Sequence, residues 1–178
     1  MAGGPPSRSL AIDTSLFLLV VTYKCLASGN ARDRVRILTD IRGRSDNLPP
    51  ERFDDLWHVF ERAARRIITQ QVVAEVLKFS RPGWIRDHKD DVLENAIALT
   101  KEFGVKEYSC PILEIHARED YRPALIALGA TDAGLLYTAE QQKATLITDD
   151  AQLLHYAYTR SVPAFPLHQV HNSITHSW

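Results

Sequence analysis

The sequence predicts an α/β fold of three layers, in which helices cover both faces of a central, mainly parallel sheet. Short apolar runs such as "LAID" (10–13) and "ATLIT" (144–148) alternate with longer amphipathic segments, as parallel strands and their crossover helices do. The chain has 178 residues, which suffices for one domain with a buried core. We therefore expect a single domain over residues 9–168, with a flexible leader at 1–8 and a tail at 169–178.

The first half of the chain predicts two strands and three helices. The strand "LAID" leads into the helix "TSLFLLVVTYKCLA", for which Thr14 or Ser15 is a natural N-cap. An arginine-rich stretch precedes "PERFDDLWHVFERAARR", where apolar residues recur at helical spacing on one face. These residues are Phe53, Leu56, Val59, Phe60 and Ala63. The strand "IIT" and the helix "QQVVAEVLKFS", which "RPG" ends, complete this half.

The second half alternates helices and strands in the same way. The segment "RDHKDDVLENAIALTKEFG" predicts an amphipathic helix that stops at Gly104, and "VKEYSC" predicts a strand before Pro111. The long segment "YRPALIALGATDAGLLYTAEQQK" predicts a helix that is broken near Gly129. After it, "ATLIT" predicts a strand, "DAQLLHYAYTR" a helix and "PAFPL" a last short strand.

Charge, cysteine content and hydropathy limit the function classes. The formal net charge of −1 gives no overall attraction to nucleic acid, so a polyanion would need a local basic patch or a bound cation. Cys25 and Cys110 lie far apart and match no metal-ligand spacing, which favours a reducing compartment. The longest apolar run is interrupted by Asp13 and is too short to span a bilayer, and no secretion signal is evident. We expect a cytoplasmic protein with no membrane segment.

Acidic residues follow the first and fourth predicted strands directly. Asp13 ends "LAID", and the doublet Asp149 and Asp150 follows "ATLIT". Because the carboxyl ends of parallel strands meet at one edge of a sheet, we expect these carboxylates at the same edge. Asp132 lies in an otherwise apolar helical stripe, where a charge is costly unless it is paired or coordinated. Glu75 borders the apolar stripe of its own helix.

Each acidic residue also has a purely structural explanation. Asp13 and Asp150 could cap the helices that follow them, and Glu75 could be a solvated helix residue. As a set, however, several carboxylates at one edge raise one another's pKa unless a cation is present. Oxygen ligands without His or Cys suit Mg²⁺ or Mn²⁺, ions that can activate a water and neutralise a phosphodiester.

Four segments in this order carry a family resemblance. They are "LAIDTSLFLL" with Asp13 and Ser15, "IITQQVVAEVLKF" with Glu75, "LGATDAGLLYTA" with Asp132, and "ATLITDDAQLL" with Thr148 and Asp150. In order and context they resemble the PIN-domain nucleases, which include the VapC toxins of bacterial toxin–antitoxin pairs. The distance from the first segment to the second exceeds that of a compact toxin, which indicates a helical insertion at about 28–64. A further acidic residue that the family often has is replaced here by Gln152 and Leu153.

The resemblance implies a PIN-like fold and a metal-dependent endoribonuclease that leaves a 5′-phosphate, with Mg²⁺ or Mn²⁺ as cofactor. The implied catalytic and metal-binding residues are Asp13, Glu75, Asp132 and Asp150, with Glu75 binding or orienting a metal-bound water. Ser15 and Thr148 would support carboxylates or water by hydrogen bonds, and Asp149 would be a flanking or helix-capping carboxylate. The partner that the resemblance implies is an RNA substrate. If the chain is a toxin, an antitoxin protein is a second partner, and exposed apolar positions on the first two helices would suit a homodimer.

Arginines and one tryptophan are candidates for RNA contacts, because guanidinium groups bind phosphates and aromatic rings stack on unpaired bases. The candidates are Arg32, Arg34, Arg36, Arg42 and Arg44, then Arg62, Arg65 and Arg66, and finally Arg81, Trp84 and Arg86. A solvated charged surface explains each of them equally well. His168, His171 and His176 match no common zinc spacing.

Three other classes of protein are weighed against the nuclease. A response-regulator receiver needs an acidic pair near the first strand and a lysine late in a strand, and neither is evident. A haloacid dehalogenase-like phosphatase needs a second aspartate two residues after the first, where this chain has Ser15. A non-enzymatic PIN-like scaffold, which would bind RNA or assist assembly without cleavage, is the main alternative. It has no need to bear the mutual repulsion of four carboxylates.

Overall fold

The computed structural model describes residues 9–28, 51–78 and 87–170. The strands are β1 (Ser9–Ile12), β2 (Arg65–Thr69), β3 (Lys106–Tyr108), β4 (Thr145–Ile147) and β5 (Ala164–Phe165). The helices are α1 (Thr14–Ser28), α2 (Glu51–Arg62), α3 (Gln70–Lys78), α4 (Lys89–Glu102), α5 (Ile112–Ala117), α6 (Arg122–Gln142) and α7 (Ala151–Thr159), with a short 3₁₀ turn at Leu167–Gln169. Within these ranges no helix has the length and apolarity needed to cross a bilayer.

The five strands form one sheet in which every neighbouring pair is parallel. Their order is β3-β2-β1-β4-β5, so the chain builds outward from β1 in one direction and then returns to build outward in the other. The strand order therefore reverses between β1 and β4. In open parallel sheets, the crevice at the carboxyl ends of the strands on either side of this reversal is where ligands bind.

The sheet separates two apolar cores, which makes the three-layer α/β/α prediction correct. Along β1, Leu10 and Ile12 face a core built with α1 to α4, whereas Ala11 faces a core built with α5 to α7. Strand β2 divides in the same way, with Ile68 on the first side and Ile67 on the second. Both faces are covered, as expected of a sheet whose strands are apolar on both sides.

The predicted elements are confirmed in type and order, with two differences. The short helix α5 was not predicted, because six residues are too few to show a helical period. The prediction that Thr14 or Ser15 caps α1 is wrong: the helix begins at Thr14, and Asp13 accepts a 2.6 Å hydrogen bond from the Leu16 backbone N–H. The expected break in α6 is present at Gly129, where φ is 79° and ψ is 179°.

Helix α2 lies at the end of the segment predicted as an insertion. Its residues Leu56, Val59 and Phe60 are buried in the first core, so this helix contributes to the packing of the sheet. The rest of that segment, residues 29–50, lies outside the described residues, as do the leader at 1–8 and residues 171–178 of the tail. The insertion therefore stays a prediction.

Candidate acidic site at the carboxyl edge of the sheet

Strands β1 and β4 are aligned so that their last residues, Ile12 and Ile147, are partners. The next residues, Asp13 and Thr148, therefore leave the sheet side by side at the reversal of strand order. Both are buried, with Asp13 5% exposed and Thr148 fully buried. The register thus brings the first and last of the four sequence segments together.

Asp13 carries opposing electrostatic influences. Burial raises its pKa, hydrogen bonds from Thr148 and from the Leu16 N–H lower it, and the charges of Asp132 and Asp149 raise it further. The result is a pKa of about 7. Burial prevails because a carboxylate removed from water loses more hydration free energy than these two hydrogen bonds return.

The end of β4 arranges the acidic doublet. The Asp150 N–H donates to the Thr148 hydroxyl oxygen over 3.1 Å, and the Asp150 carboxylate accepts from the Leu153 N–H over 2.8 Å. Asp150 is therefore the N-cap of α7. Asp149 is exposed, and its Oδ1 accepts from the Leu167 N–H over 3.0 Å, which ties the end of β4 to the 3₁₀ turn. Of the two roles predicted for Asp149, flanking or helix-capping, the structure shows the flanking one, and Asp150 caps α7 as its own structural explanation predicted.

Asp132 reaches the same edge from the second core. It follows the break at Gly129, so it lies in the first turn of the second half of α6, which then runs back toward the start of β4. Burial raises the pKa of Asp132 to about 6, and the charges of Asp150 and Glu75 raise it as well. These charges act on Asp132 because the three carboxylates lie near one another.

Glu75 reaches the site from α3 as an exposed side chain. Its Oε2 accepts a 2.6 Å hydrogen bond from the Thr14 hydroxyl at the start of α1. Sequence reasoning considered Thr14 only as a helix cap and assigned the supporting role to Ser15, which is exposed. No local pattern could have shown a contact between residues 61 positions apart.

Gln71 is a second residue that sequence reasoning missed. It precedes Glu75 by four residues on α3, so the two share a face of the helix. Its Oε1 is buried and has no hydrogen-bond partner among the described residues. An unpaired buried amide oxygen is costly, which makes it a candidate acceptor for a ligand or a water. The signal in the sequence is only its position one turn before Glu75.

The donor chemistry of this edge fits a small divalent cation. Carboxylate oxygens from Asp13, Glu75, Asp132 and Asp150, and the amide oxygen of Gln71 one turn before Glu75 on α3, are the hard ligands that Mg²⁺ and Mn²⁺ take. As the side chains stand, no group of three or more His, Cys, Asp or Glu residues in the described part of the chain is arranged to hold a metal ion. Asp13 and Asp150 each use a carboxylate oxygen to cap a helix, which holds both side chains in place. For a metal ion to bind at this edge, the carboxylates of Glu75 and Asp132 would therefore have to move toward them.

The arginines of β2 do not belong to this edge. Arg65 and Arg66 begin β2, at the amino end of the sheet. Arg66 is buried and donates to the carbonyls of Phe60, Glu61 and Phe103, and Arg65 donates to Ser9 and to the Gln142 carbonyl. Both therefore serve the fold at this end of the sheet, and their contact with RNA stays a prediction that the acidic edge does not support.

Several predicted residues fall where the structure describes nothing. The segments 29–50 and 79–86 lie outside the described residues, and so does 171–178. The RNA-contact candidates concerned are Arg32, Arg34, Arg36, Arg42, Arg44, Arg81, Trp84 and Arg86, together with His171 and His176 of the tail. Their roles stay predictions.

Comparison of the chain with protein-family models, with curated proteins and with solved structures finds no match. The similarity to PIN-domain nucleases accordingly stays a prediction from the four sequence segments. A functional interpretation must therefore depend on the placement of the acidic side chains themselves.

Proposed function

We propose that this protein is a metal-dependent endoribonuclease of the PIN type, which uses Mg²⁺ or Mn²⁺ to hydrolyse RNA phosphodiester bonds in the cytoplasm. One observation carries the proposal. Carboxylates from separate elements converge where the strand order reverses, and their charges act on one another: Asp13, Glu75, Asp132 and Asp150.

The energetic cost of this arrangement supports a cation site. Asp13 is buried with a pKa of about 7, and Asp132 is half-buried with a pKa of about 6. The metal-free protein therefore holds both carboxyls partly protonated near neutral pH. A divalent cation favours the charged form of each and so lowers both pKa values. Perturbed carboxyls of this kind concentrate at functional sites, whereas a scaffold gains nothing from them.

The residues have distinct tasks in the proposed reaction. Asp13 and Asp150 are each held in place by a helix cap, and Asp132 approaches from α6, so the three would ligate the ion. Thr148 accepts from the Asp150 N–H and hydrogen-bonds Asp13, which fixes two of these carboxylates relative to each other. Glu75 would supply a fourth carboxylate to the ion and orient the water that attacks the phosphorus. A bound Mg²⁺ or Mn²⁺ would supply Lewis-acid stabilisation of the phosphodiester and acidify that water.

Helix ends at this edge favour an anionic substrate. Helix α1 begins at Thr14, the second half of α6 begins after Gly129, and α7 begins at Ala151. Each carries a partial positive charge at its N-terminus, which offsets part of the repulsion between the carboxylates and a phosphate.

RNA cleavage tests the proposed function. Purified full-length chain is incubated with several single-stranded RNAs in Mg²⁺ or Mn²⁺, and products are resolved on sequencing gels. We expect cleavage that EDTA abolishes and that falls on the order of 100-fold or more in Asp13→Asn and Asp132→Asn, the scale of losing a group that acts in the reaction.

The matched control is Asp90→Asn, which changes an exposed aspartate in the first turn of α4. It should cleave as wild type does. If wild type, Asp13→Asn and Asp132→Asn share one background rate with every RNA, the nuclease proposal fails. RNA binding without cleavage would then indicate the scaffold instead.

The toxin assignment is the narrower part of the proposal. Induced expression of wild type should arrest bacterial growth, and Asp132→Asn should not. A small neighbouring reading frame that encodes a DNA-binding protein, and that relieves the arrest when it is co-expressed, would identify the antitoxin partner. Unimpaired growth with active enzyme present would remove the toxin assignment and leave the nuclease.

A further inference from the structure

The contact between Thr14 and Glu75 joins two helices at the acidic edge. The Thr14 Oγ1 donates to the Glu75 Oε2 over 2.6 Å, across 61 residues of sequence. Helices α1 and α3, on which the two residues lie, pack against the same face of the sheet. The bond therefore links the element that follows β1 to the element that follows β2.

Thr14 is held firmly because it follows Asp13. The Asp13 carboxylate accepts from the Leu16 N–H, and the Asp13 carbonyl accepts from the Phe17 N–H over 2.9 Å. These bonds close the first turn of α1 around Thr14. Its hydroxyl is consequently presented at a defined position directly beside the buried carboxylate.

Glu75 is the acidic residue whose side chain is least constrained by the backbone. Asp13 and Asp150 have short side chains that cap helices, whereas Glu75 is exposed in the middle of α3 and has three rotatable bonds. Holding such a side chain in one orientation costs rotamer entropy. The Thr14 hydroxyl selects the orientation in which Glu75 acts on Asp132.

We propose that Thr14 is a positioning residue, which holds the Glu75 carboxylate in the orientation that the acidic site uses. This inference rests on the proposed function, because its consequence is tighter divalent-cation binding and faster RNA cleavage. An exposed hydrogen bond of this kind contributes little to folding stability. Positioning and structural roles can therefore be separated by measurement.

The experiment compares Mn²⁺ affinity by isothermal titration calorimetry in wild type, Thr14→Val, Thr14→Ala and Thr14→Ser. Removal of the hydroxyl should weaken Mn²⁺ binding about 10- to 100-fold, the usual effect of losing a partner that orients a ligand. Thr14→Ser keeps the hydroxyl and should bind as wild type does. Thr14→Ala also removes the hydroxyl but does not introduce the β-branched side chain of valine. The result therefore does not depend on whether the Thr14→Val variant folds normally.

Two controls separate positioning from general damage. Thr100→Val removes a hydroxyl that bonds only within α4, at the Ala96 carbonyl, and should leave Mn²⁺ affinity unchanged. In a Glu75→Gln background, Thr14→Val should have no further effect, because the carboxylate that it positions is gone.

The outcomes distinguish this inference from the proposed function. If wild type binds Mn²⁺ and cleaves RNA but Thr14→Val and Thr14→Ala do both equally well, the inference is wrong and the nuclease remains. A loss that persists unchanged in the Glu75→Gln background also overturns it. If wild type neither binds Mn²⁺ nor cleaves RNA, the proposed function is wrong, and the inference that rests on it is wrong as well.

Discussion

Asp13 is the residue at which the requirements of the fold and of the proposed metal site oppose each other most directly. It ends the central strand, caps α1 and is 5% exposed, so the fold fixes its carboxylate in a place that disfavours its charge. The sequence was sufficient to select it, because an aspartate directly after a buried strand stands out. Its observed role as a helix cap and its proposed role as a metal ligand could not be separated by sequence, since both require the same side chain at the same point.

The raised pKa of Asp13 predicts a pH dependence of stability. Its pKa rises from 3.8 to about 7 on folding, so between these values the folded state binds more protons than the unfolded state. The free energy of unfolding should therefore fall as the pH rises from about 4 to about 7. Asp13→Asn keeps a helix-capping side chain and removes the titration, so at pH 8 it should be more stable than wild type by up to about 4 kcal/mol.

Urea unfolding in EDTA at several pH values measures this difference. The advantage of Asp13→Asn should vanish below about pH 3, where wild-type Asp13 is protonated in both states. Asp90→Asn, at an exposed position, should follow the wild-type profile. Parallel profiles for wild type and Asp13→Asn would show that the Asp13 carboxyl is not perturbed.

Contacts between distant residues were beyond sequence reasoning at the residue scale. Strand-end acids can be found locally, and Asp132 could be found because a charge interrupts an apolar stripe. The Thr14 to Glu75 bond and the buried Gln71 amide oxygen depend on how α1, α3 and α6 pack. Likewise, Thr148 was expected to support a carboxylate, but only the register of β1 with β4 places it beside Asp13.

At the scale of elements, strand and helix periods predicted most of the chain. Helices with clear apolar faces were found, and glycine predicted both the end of α4 and the break in α6. Helix α5 was missed because of its length, and the start of α1 was misjudged because Asp, Thr and Ser are all good caps. The deciding fact was the Leu16 N–H, which bonds Asp13.

The break at Gly129 predicts a coupling between backbone strain and the site. Its φ of 79° and ψ of 179° belong to a region that only glycine adopts readily. Since no described atom lies within 4 Å of a Cβ built there, an alanine would suffer from backbone strain rather than from collision. Gly129→Ala should cost about 1–3 kcal/mol of unfolding free energy and displace Asp132, thereby weakening Mn²⁺ binding.

The comparison variant is Gly104→Ala, at the glycine that follows α4. Its φ of 58° is also positive and its Cβ would also meet no described atom within 4 Å, but it lies at the end of a different helix. It should lose stability in chemical unfolding without a change in Mn²⁺ affinity. Equal effects of the two substitutions on Mn²⁺ affinity would contradict a specific role for the α6 break.

At the scale of the whole molecule, the topology concentrates charge at one edge of the sheet. The strand order β3-β2-β1-β4-β5 places the ends of β1 and β4 together, and this order could not be predicted because the sequence specifies strands but not their neighbours. The arginines of β2 lie at the opposite edge. Two others pair with Asp120 near the end of α7: Arg118 and Arg160. The formal net charge of −1 gives the whole molecule no overall attraction to RNA.

If the acidic edge binds a divalent cation as proposed, the cation should raise the free energy of unfolding of the whole domain. An ion that binds only the native state at 100 times its Kd adds about 2.7 kcal/mol to the free energy of unfolding. Mn²⁺ should raise the thermal midpoint of wild type, and EDTA should reverse the rise. Asp132→Asn should respond to Mn²⁺ far less. A rise of equal size in both proteins would place the binding elsewhere in the chain.

The most direct test of the acidic site is a crystal structure of the full chain grown with Mn²⁺, with anomalous difference maps recorded near the manganese edge. We expect a peak about 2 Å from carboxylate oxygens of Asp13, Asp132 and Asp150, the distance typical of small divalent cations. Crystals of the Asp132→Asn variant, grown in the same way, should lose most of that peak. A fully occupied manganese peak at other residues, or none at this edge in protein that cleaves RNA, would contradict the metal site proposed here.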